Sequence, residues 1–327
     1  MTNLQKLLDA IHNENVYIQT HNFPDPDAIA SAYGLQQLLK SQGVVSTICY
    51  VGKIERYNTN HIIEALGIEM VNVSDLETNL QESDEILLVD VQKLNSNVLD
   101  IVGEECVCID HHPIVNQIEY RFSDIRAEMG ACATIIASYF FENDIPMDEK
   151  TATALTFGIR SDTDKLSRGV NELDLEMLYR MFPLVDKGLI HHLENAELLL
   201  SDLNAYSQAI ASIKRYDNVS FANAGKDCPE ALVSCVSDFI LKMAEITFSV
   251  VYSKKPDGYK FSVRSEGKAD AGKVVTNALK GIGSGGGHGI MAGGFAPFQG
   301  TEEEEQAFIQ DIERRFLEQL LSSSLNN

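Results

Sequence analysis

Seven acidic and histidine side chains in the first half of the chain could together do chemistry. They are His21, Asp25, Asp27, Asp90, His111, His112 and Asp162. Hard carboxylate oxygens combined with a few imidazoles suit Mn²⁺, Mg²⁺ or Co²⁺ better than a metal that prefers thiolates. The four aspartates with two of the three histidines are already too many ligands for one ion that stays open to substrate, but they suit two ions that share a carboxylate. Such an ion pair lowers the pKa of a bridging water, which supplies hydroxide near neutral pH, and it neutralises a phosphate under attack.

Three of these groups directly follow predicted strands, which would bring them to one edge of a sheet. The strands and the groups after them are Val16 to Thr20 with His21, Glu85 to Val89 with Asp90, and Cys106 to Ile109 with Asp110-His111-His112. Open α/β sheets with parallel strands place their sites at the carboxyl ends of the strands. Each group alone has a plainer interpretation, such as Asp27 acting as the N-cap of the helix predicted over 28–41. The recurrence of the pattern favours the metal site.

The second half of the chain offers groups that could hold a phosphate. Gly281 to Gly286 matches the dinucleotide pattern GxGxxG, but a predicted helix rather than a strand precedes it. Gly285-Gly286-Gly287-His288 remains as a predicted loop whose backbone could approach a phosphate or a base, with His288 as donor; a flexible linker is the alternative. Arg264-Ser265 ends a predicted strand and is interpreted as a phosphate clamp, or otherwise as a surface arginine.

Length and composition limit the classes of function. At 327 residues with 44% hydrophobic residues, the chain is expected to form two domains with full cores. Its net charge of −22 argues against binding to long duplex nucleic acid, which requires a basic surface. We predict neither a signal peptide nor a membrane span, and the six scattered cysteines suit reduced thiols. The expected location is therefore the cytoplasm.

The change in sequence character near the middle of the chain predicts the domain organisation. We expect a first domain over 1–188, a linker formed by one long helix over 189–215, and a second domain over 216–327. His191 and His192 lie at the start of this helix without acidic partners at ligand spacing, so they are predicted to be surface residues.

Taken in order, the first set of motifs resembles that of the DHH phosphoesterases of the RecJ-like superfamily. The matching motifs are His21-x-x-x-Asp25-x-Asp27, Asp90, Asp110-His111-His112 and Asp162. Arg264-Ser265 and Gly285-Gly286-Gly287-His288 resemble the associated DHHA1 domain, so the resemblance covers nearly the whole chain. It implies an α/β fold with a parallel-sheet DHH domain covered by helices on both faces. A smaller α/β DHHA1 domain would follow, with the active site in the cleft between the two.

The resemblance also implies a role for each residue. One metal would be held by His21, Asp25 and Asp90. The second would be held by Asp27, Asp90, His111 and Asp162, with Asp90 bridging the two ions. His112 would face the scissile phosphate, and Asp110 would orient its neighbours from behind the ligands. The substrate-holding residues would be Arg264, Ser265, Gly285, Gly286, Gly287 and His288.

In size and layout the chain is most similar to the small enzymes of this superfamily that degrade very short RNA and dephosphorylate 3′-phosphoadenosine 5′-phosphate (pAp). This predicts an Mn²⁺-dependent hydrolase that acts on short single-stranded RNA or nucleotides. It predicts no duplex nucleic acid and no membrane as partner, and it does not decide between a monomer and a homodimer. Val91-Gln92-Lys93 and Asp162-Thr163-Asp164-Lys165 depart from the pattern of those enzymes, which leaves the substrate open. The alternatives are a phosphodiesterase for cyclic dinucleotides or pApA, a pyrophosphatase or polyphosphatase, and a non-catalytic nucleotide sensor. The DHHA1-like half favours a nucleotide over pyrophosphate.

Overall fold

Two α/β units, Met1–Glu197 and Leu198–Asn327, make up the chain. The computed structural model describes residues 1–13, 15–54, 57–76, 80–195 and 198–324. Each unit has its own sheet of six strands, and each sheet packs against its own apolar core.

The sheet of the first unit is entirely parallel, as predicted. Its strands are β1 (Asn15–Gln19), β2 (Val45–Tyr50), β3 (Met70–Asn72), β4 (Glu85–Val89), β5 (Glu104–Asp110) and β6 (Phe122–Ile125). They lie in the order β3-β2-β1-β4-β5-β6, and every neighbouring pair runs parallel. All five positions of β4 are buried, which fits the continuous apolar run of a strand covered on both faces. The strand order reverses between β1 and β4, and open sheets bind ligands at the carboxyl ends beside such a switch point.

Most helices of the first unit pack on one face of this sheet. They are α1 (Asn3–Asp9), α2 (Pro26–Ser41), α3 (Tyr57–Leu66), α4 (Val73–Leu76), α5 (Cys132–Glu142), α6 (Glu149–Asp162), α7 (Glu172–Met181) and α8 (Lys187–Asn195). Buried apolar residues from all of them except α4 belong to one large core cluster. The opposite face of the sheet is covered by the short α4 and by connecting segments, around a smaller cluster that contains Ile86, Leu88 and Cys108.

The second unit has a mixed sheet between two layers of helices. Its elements are a 3₁₀ turn (Leu200–Asp202), α9 (Leu203–Ser212), β7 (Lys214–Tyr216), β8 (Val219–Lys226), α10 (Glu230–Leu241), β9 (Phe248–Lys255), β10 (Gly258–Ser265), α11 (Ala271–Ala278), β11 (Ser284–Gly287), β12 (Met291–Pro297) and α12 (Glu302–Ser324). The order is β11-β12-β10-β9-β8-β7, and β8 with β9 is the parallel pair. One core cluster includes residues of α9 and α10, and another includes residues of α11 and α12. Among the described helices of either unit, none combines the length and apolar character needed to cross a bilayer.

The prediction of one linker helix over 189–215 is wrong. α8 ends at Asn195, whose side-chain amide donates to the carbonyl of His191 at 2.7 Å. Further along, Leu199 is extended (φ −85°, ψ 157°), and its N–H donates to Asp202 Oδ2 at 2.9 Å. Polar side chains such as Asn and Asp compete with the helical backbone for hydrogen bonds. The apolar spacing of the segment did not reveal this competition.

Candidate metal centre

The predicted ligands of the first unit converge at the carboxyl ends of β1, β4 and β5. His21 follows β1, Asp90 follows β4 and His111 follows β5, while Asp162 is the last residue of α6. Three groups each have ligand atoms that lie within 4.8 Å of one another: His21 with Asp25 and Asp90, Asp27 with His111 and Asp162, and Asp90 with His111 and His112. The first two groups match the two ligand sets that the resemblance implies, apart from the bridging Asp90 in the second.

Asp90 lies at the centre of this arrangement. Its Oδ2 is 3.6 Å from His21 Nε2, and its Oδ1 is 3.4 Å from His111 Nε2, so the two oxygens face different imidazoles. The residue is 2% exposed, and Oδ1 has no hydrogen-bond partner among the residues that the structure describes. A buried carboxylate oxygen without a partner is costly unless a cation or a donor balances it. Asp90 therefore lies where a carboxylate shared by two ions would lie, and a cation would balance its unpartnered oxygen.

The two histidines beside Asp90 are held so that Nε2 points at the acids. His21 Nδ1 lies 2.9 Å from the carbonyl of Asn22, and His111 Nδ1 lies 3.2 Å from the carbonyl of Met129. A backbone carbonyl at Nδ1 assigns the proton to that nitrogen and leaves the lone pair of Nε2 available to a metal. The donor set of imidazoles and carboxylates thus fits hard divalent ions.

Asp27 is fixed by the first turn of a different helix. Its Oδ2 accepts from the N–H of Cys132 at 2.7 Å, and its Oδ1 accepts from the N–H of Ala133 at 3.0 Å. These amides begin α5, where Ala131 gives no side-chain cap, and a negative charge is favourable at a helix N-terminus. The interpretation of Asp27 as the N-cap of its own helix is wrong, because Asp25 accepts from the N–H groups of Asp27 and Ala28.

Crowding of the carboxylates raises their pKa values. Burial and the neighbouring Asp162 raise the pKa of Asp27 to about 7. Burial and Asp27 raise the pKa of Asp90, and burial and Asp25 raise the pKa of Asp162. These acids therefore hold protons at unusually high pH when no cation is bound, and a divalent ion would displace those protons.

A chain of hydrogen bonds orients His112. Its Nδ1 lies 2.8 Å from Oδ1 of the fully buried Asp110, and this hydrogen bond raises the pKa of His112. Asp110 Oδ2 in turn accepts from Gln92 Nε2 at 2.7 Å, and the same amide lies 3.0 Å from the carbonyl of His112. The side chain of His112 is 48% exposed, and its contact with Asp110 uses Nδ1 rather than Nε2.

We expect Gln92→Met to lower kcat by about tenfold or more with little change in KM, because a buried carboxylate that loses a donor is costly and His112 loses its orientation. Steady-state kinetics on a phosphoester substrate measure both constants. Gln36→Met is the matched control, since the amide of Gln36 donates to the carbonyl of Ser46 at 3.0 Å. An unchanged kcat in the Gln92 variant would mean that this hydrogen bond does not position His112.

Sequence reasoning missed the groups that orient the ligands. Gln92 left a signal, since it departs from the pattern of the small enzymes that degrade very short RNA, but the departure did not reveal its hydrogen bonds to Asp110 and His112. The carbonyl of Met129 and the backbone N–H groups that hold Asp27 left no signal in the sequence, because almost every residue carries these groups.

In the second unit, Arg264 is buried and already paired. Its Nε donates to Asp238 Oδ1 at 2.6 Å, and its Nη1 lies 3.1 Å from both Ser262 Oγ and the carbonyl of Val263. Ser265 Oγ donates to the carbonyl of Ala269 at 2.7 Å. A phosphate that binds Arg264 would therefore have to displace the carboxylate of Asp238 or bind the same guanidinium beside it.

Gly285 to Gly287, which the sequence predicts as part of a loop, belong to strand β11 instead. β11 pairs antiparallel with β12 at the edge of the second sheet. A Cβ on Gly285 would lie 2.4 Å from Val275 Cγ1, so glycine allows α11 to pack against this strand. An edge strand keeps some N–H groups directed away from the sheet. His288 follows in the turn to β12 with an exposed side chain, and Ser265 N–H donates to the carbonyl of Ile290 at 2.9 Å in the same turn.

Family models match two parts of the chain in order. The DHH family, N-terminal domain, matches residues 15–159, and the DHHA1 domain matches residues 217–318. The chain is 30% identical over 293 residues to the uncharacterized protein MJ1633 of Methanocaldococcus jannaschii, covering 88% of this chain and 60% of that relative's length. It is 24% identical over 249 residues to a probable manganese-dependent inorganic pyrophosphatase of Streptococcus thermophilus. The alignment covers 75% of this chain and 79% of that relative's length.

Solved structures share the fold. An exopolyphosphatase-related protein from Bacteroides fragilis superposes with a TM-score of 0.77 at 19% identity, covering 96% of each chain. RecJ from Thermus thermophilus, in complex with Mn²⁺, superposes with a TM-score of 0.55 at 14% identity, covering 97% of this chain and 54% of RecJ. With both family models matched in order, this chain belongs to the DHH/DHHA1 family of the DHH phosphoesterase superfamily.

Proposed function

We propose that this protein is a metal-dependent phosphoesterase that hydrolyses short oligonucleotides or small nucleotides such as pAp. Two divalent ions, with Mn²⁺ as the expected metal, would be held by the two ligand sets that share Asp90. The observation that carries the proposal is the Asp90 carboxylate, whose oxygens face His21 and His111 from a buried position. When bound, the ions would activate a water and offset the charge of the phosphate.

The residues of the chain have distinct tasks in this proposal. His21 and His111 present their Nε2 lone pairs, while backbone carbonyls fix their orientation. His112 presents an exposed ring that hydrogen-bonds to the substrate phosphate, and Asp110 keeps that ring in place. Burial and hydrogen bonding within this set limit the motion of each side chain, which favours the transition state over a loosely held substrate.

The DHHA1 domain supports a nucleotide as substrate, because the resemblance assigns pyrophosphatases of this superfamily a different second domain. Inorganic pyrophosphate is the second candidate, since the Streptococcus thermophilus relative named as a pyrophosphatase aligns over 75% of the chain. The two candidates differ in whether a base and a sugar contribute to binding.

A screen of substrates with added Mn²⁺ tests the proposal. We expect hydrolysis of pAp, pApA or RNA dinucleotides with kcat/KM well above the value for pyrophosphate, polyphosphate or cyclic dinucleotides. Fast hydrolysis of pyrophosphate with slow turnover of every nucleotide would contradict the proposal and support the second candidate. Tight binding of a nucleotide without turnover would indicate a sensor.

The pair of Arg264 and Asp238 gives a prediction for the second unit. We expect Arg264→Ala to raise KM for a nucleotide substrate, and Asp238→Asn to lower it, because the neutral amide competes less for the guanidinium. His288→Ala should raise KM through the loss of an exposed donor. Initial rates over a range of substrate concentrations separate KM from kcat. A loss of kcat alone in the Arg264 and His288 variants would show that these residues do not hold the substrate.

Substrate length should matter because the chain carries a net charge of −22, with 26 basic against 48 acidic residues. We expect kcat/KM to peak at about two to four nucleotides, since further phosphates meet a negative surface and gain no partner. The measurement compares 5′-phosphorylated RNAs from about two to about 24 nucleotides at fixed salt. Rates that stay level or rise with length would point to a processive exonuclease instead.

A further inference from the structure

Phe23 carries an exposed aromatic ring beside the metal centre. It lies two residues after His21 and two before Asp25, both of which belong to the first ligand set. Two extended residues span at most about 7 Å, so the backbone of Phe23 stays close to both ligands. Its side chain is nonetheless 64% exposed. The loop that carries His21 and Asp25 thus also carries a large, exposed apolar side chain.

The backbone of Phe23 is in the left-handed region, with φ of 56°. This conformation is an outlier for a bulky residue, and such strain persists when the surroundings impose it. The N–H of Phe23 donates to the carbonyl of Val51 at 2.7 Å, and the N–H of Asn22 donates to the carbonyl of Asn97 at 2.7 Å. The loop is thus tied to two neighbouring segments, which hold in place the backbone that carries the ring.

Gly52 provides the space in which the ring lies. A Cβ on Gly52 would be 2.6 Å from both Cδ1 and Cε1 of Phe23, so any larger residue would displace the ring. Gly52 itself has φ of 94°, which also favours glycine. The ring therefore rests against backbone on one side while most of its surface remains open to solvent.

Burial does not account for this arrangement. A ring left mostly in water contributes little hydrophobic stabilisation, and the left-handed backbone costs free energy. An exposed aromatic ring on the loop that carries two candidate metal ligands is the kind of feature on which nucleobases stack in single-strand binding proteins. Pyrophosphate and polyphosphate have no group that would use it.

We propose that Phe23 is a specificity-determining residue that stacks on a nucleobase of the substrate whose phosphate lies at the metal centre. The inference rests on the proposed function and adds the chemical basis on which a nucleotide is preferred to a phosphate chain. The stack would also position the phosphate, because the ring would hold the base while a metal ion bound by His21 and Asp25 would hold the phosphate of the same nucleotide.

A substrate pair that differs only in a base tests the proposal. The probes are pApA and two analogues in which a tetrahydrofuran abasic residue replaces one or the other adenosine, each with Mn²⁺. We expect wild-type protein to prefer pApA over at least one analogue by about tenfold in kcat/KM, the scale of a base–aromatic stack. Phe23→Leu should lose most of that preference by lowering kcat/KM for pApA alone, and Phe23→Tyr should keep it.

Tyr179→Leu is the matched control, because Tyr179 is an 81% exposed aromatic residue on α7 outside the metal centre. This control should keep the full preference for pApA. Phe23→Gly suits the positive φ and provides a second test if the leucine variant fails to fold. A preference that persists in both Phe23 variants would overturn the inference while the proposed function stands. Wild-type protein that hydrolyses none of the probes would overturn the proposed function and the inference with it.

Discussion

Replacing Asp90 with asparagine is expected to abolish phosphoester hydrolysis, lowering kcat by more than about a thousandfold. Loss of a group that only orients a metal ligand already costs about tenfold to a hundredfold, and Asp90 faces both ligand sets. Asparagine keeps the shape of the side chain but removes the charge that two cations would share. Metal content per chain, measured after dialysis against Mn²⁺, should fall together with kcat.

The same variant should be more stable than wild type when no metal is present. Burial and the charges of Asp27 and Asp25 raise the pKa of Asp90, so its ionised form is unfavourable in the folded protein. A neutral amide at this position removes that repulsion, and we expect the metal-free Tm near pH 8 to rise by several degrees. Opposite effects on activity and stability distinguish a lost ligand from a damaged fold.

Asp164→Asn is the matched control for Asp90→Asn. Asp164 is an exposed aspartate two residues beyond Asp162, and its Oδ2 accepts from Ser167 Oγ at 2.9 Å. This control should keep the kcat and the metal content of wild type. An Asp90→Asn protein that retains more than a small fraction of wild-type kcat would contradict the shared-carboxylate model.

The second large effect is the dependence of metal-free stability on pH. The folded protein raises the pKa of Asp27 to about 7 and also raises those of Asp90 and Asp162. These carboxyl groups keep protons that the unfolded chain releases near its ordinary pKa of about 4. Their stabilising contribution is complete below that value and is lost as pH rises through the folded pKa. The Tm of protein treated with a chelator should therefore fall between about pH 5 and about pH 8.

Bound Mn²⁺ should oppose this trend. A ligand that binds only the folded protein stabilises it by about 2.7 kcal/mol at a hundred times its Kd. Because protons compete for the same carboxylates, the increase in Tm on adding Mn²⁺ should be larger near pH 8 than near about pH 5.5. Thermal unfolding with Mn²⁺ or with chelator at both pH values measures the two effects. An Mn²⁺ effect that is equal at both pH values would indicate that metal binding does not displace protons from this cluster.

Much of the first unit could be predicted from the sequence, because its signals are local. An apolar run that ends in His21, Asp90 or Asp110 defines both a strand and the end at which its polar group lies. Parallel pairing then brings those ends to one edge without further information. The alternation of helical and extended segments was enough to predict the α/β class.

The remaining features depend on contacts between residues far apart in the chain. Gln92 orients Asp110 across 18 positions, and Cys132 donates to Asp27 across 105, so neither role has a local pattern. The glycines of β11 read as a loop in the sequence, because the packing of Gly285 against Val275 of α11 leaves no trace in composition. Arg264 was predicted to be a phosphate clamp, and its pairing with Asp238 could not be read from the segment around it.

The measurement that tests the central claim most directly is a titration of metal-stripped protein with Mn²⁺. Bound metal per chain and the rate of pApA hydrolysis are recorded on the same samples, with Asp90→Asn beside wild type. We expect wild-type activity to be absent without metal and to reach its maximum as a second ion binds, while the variant gains no activity at any Mn²⁺ concentration. Full activity in metal-free protein, or maximal activity with a single ion per chain, would contradict the two-ion centre.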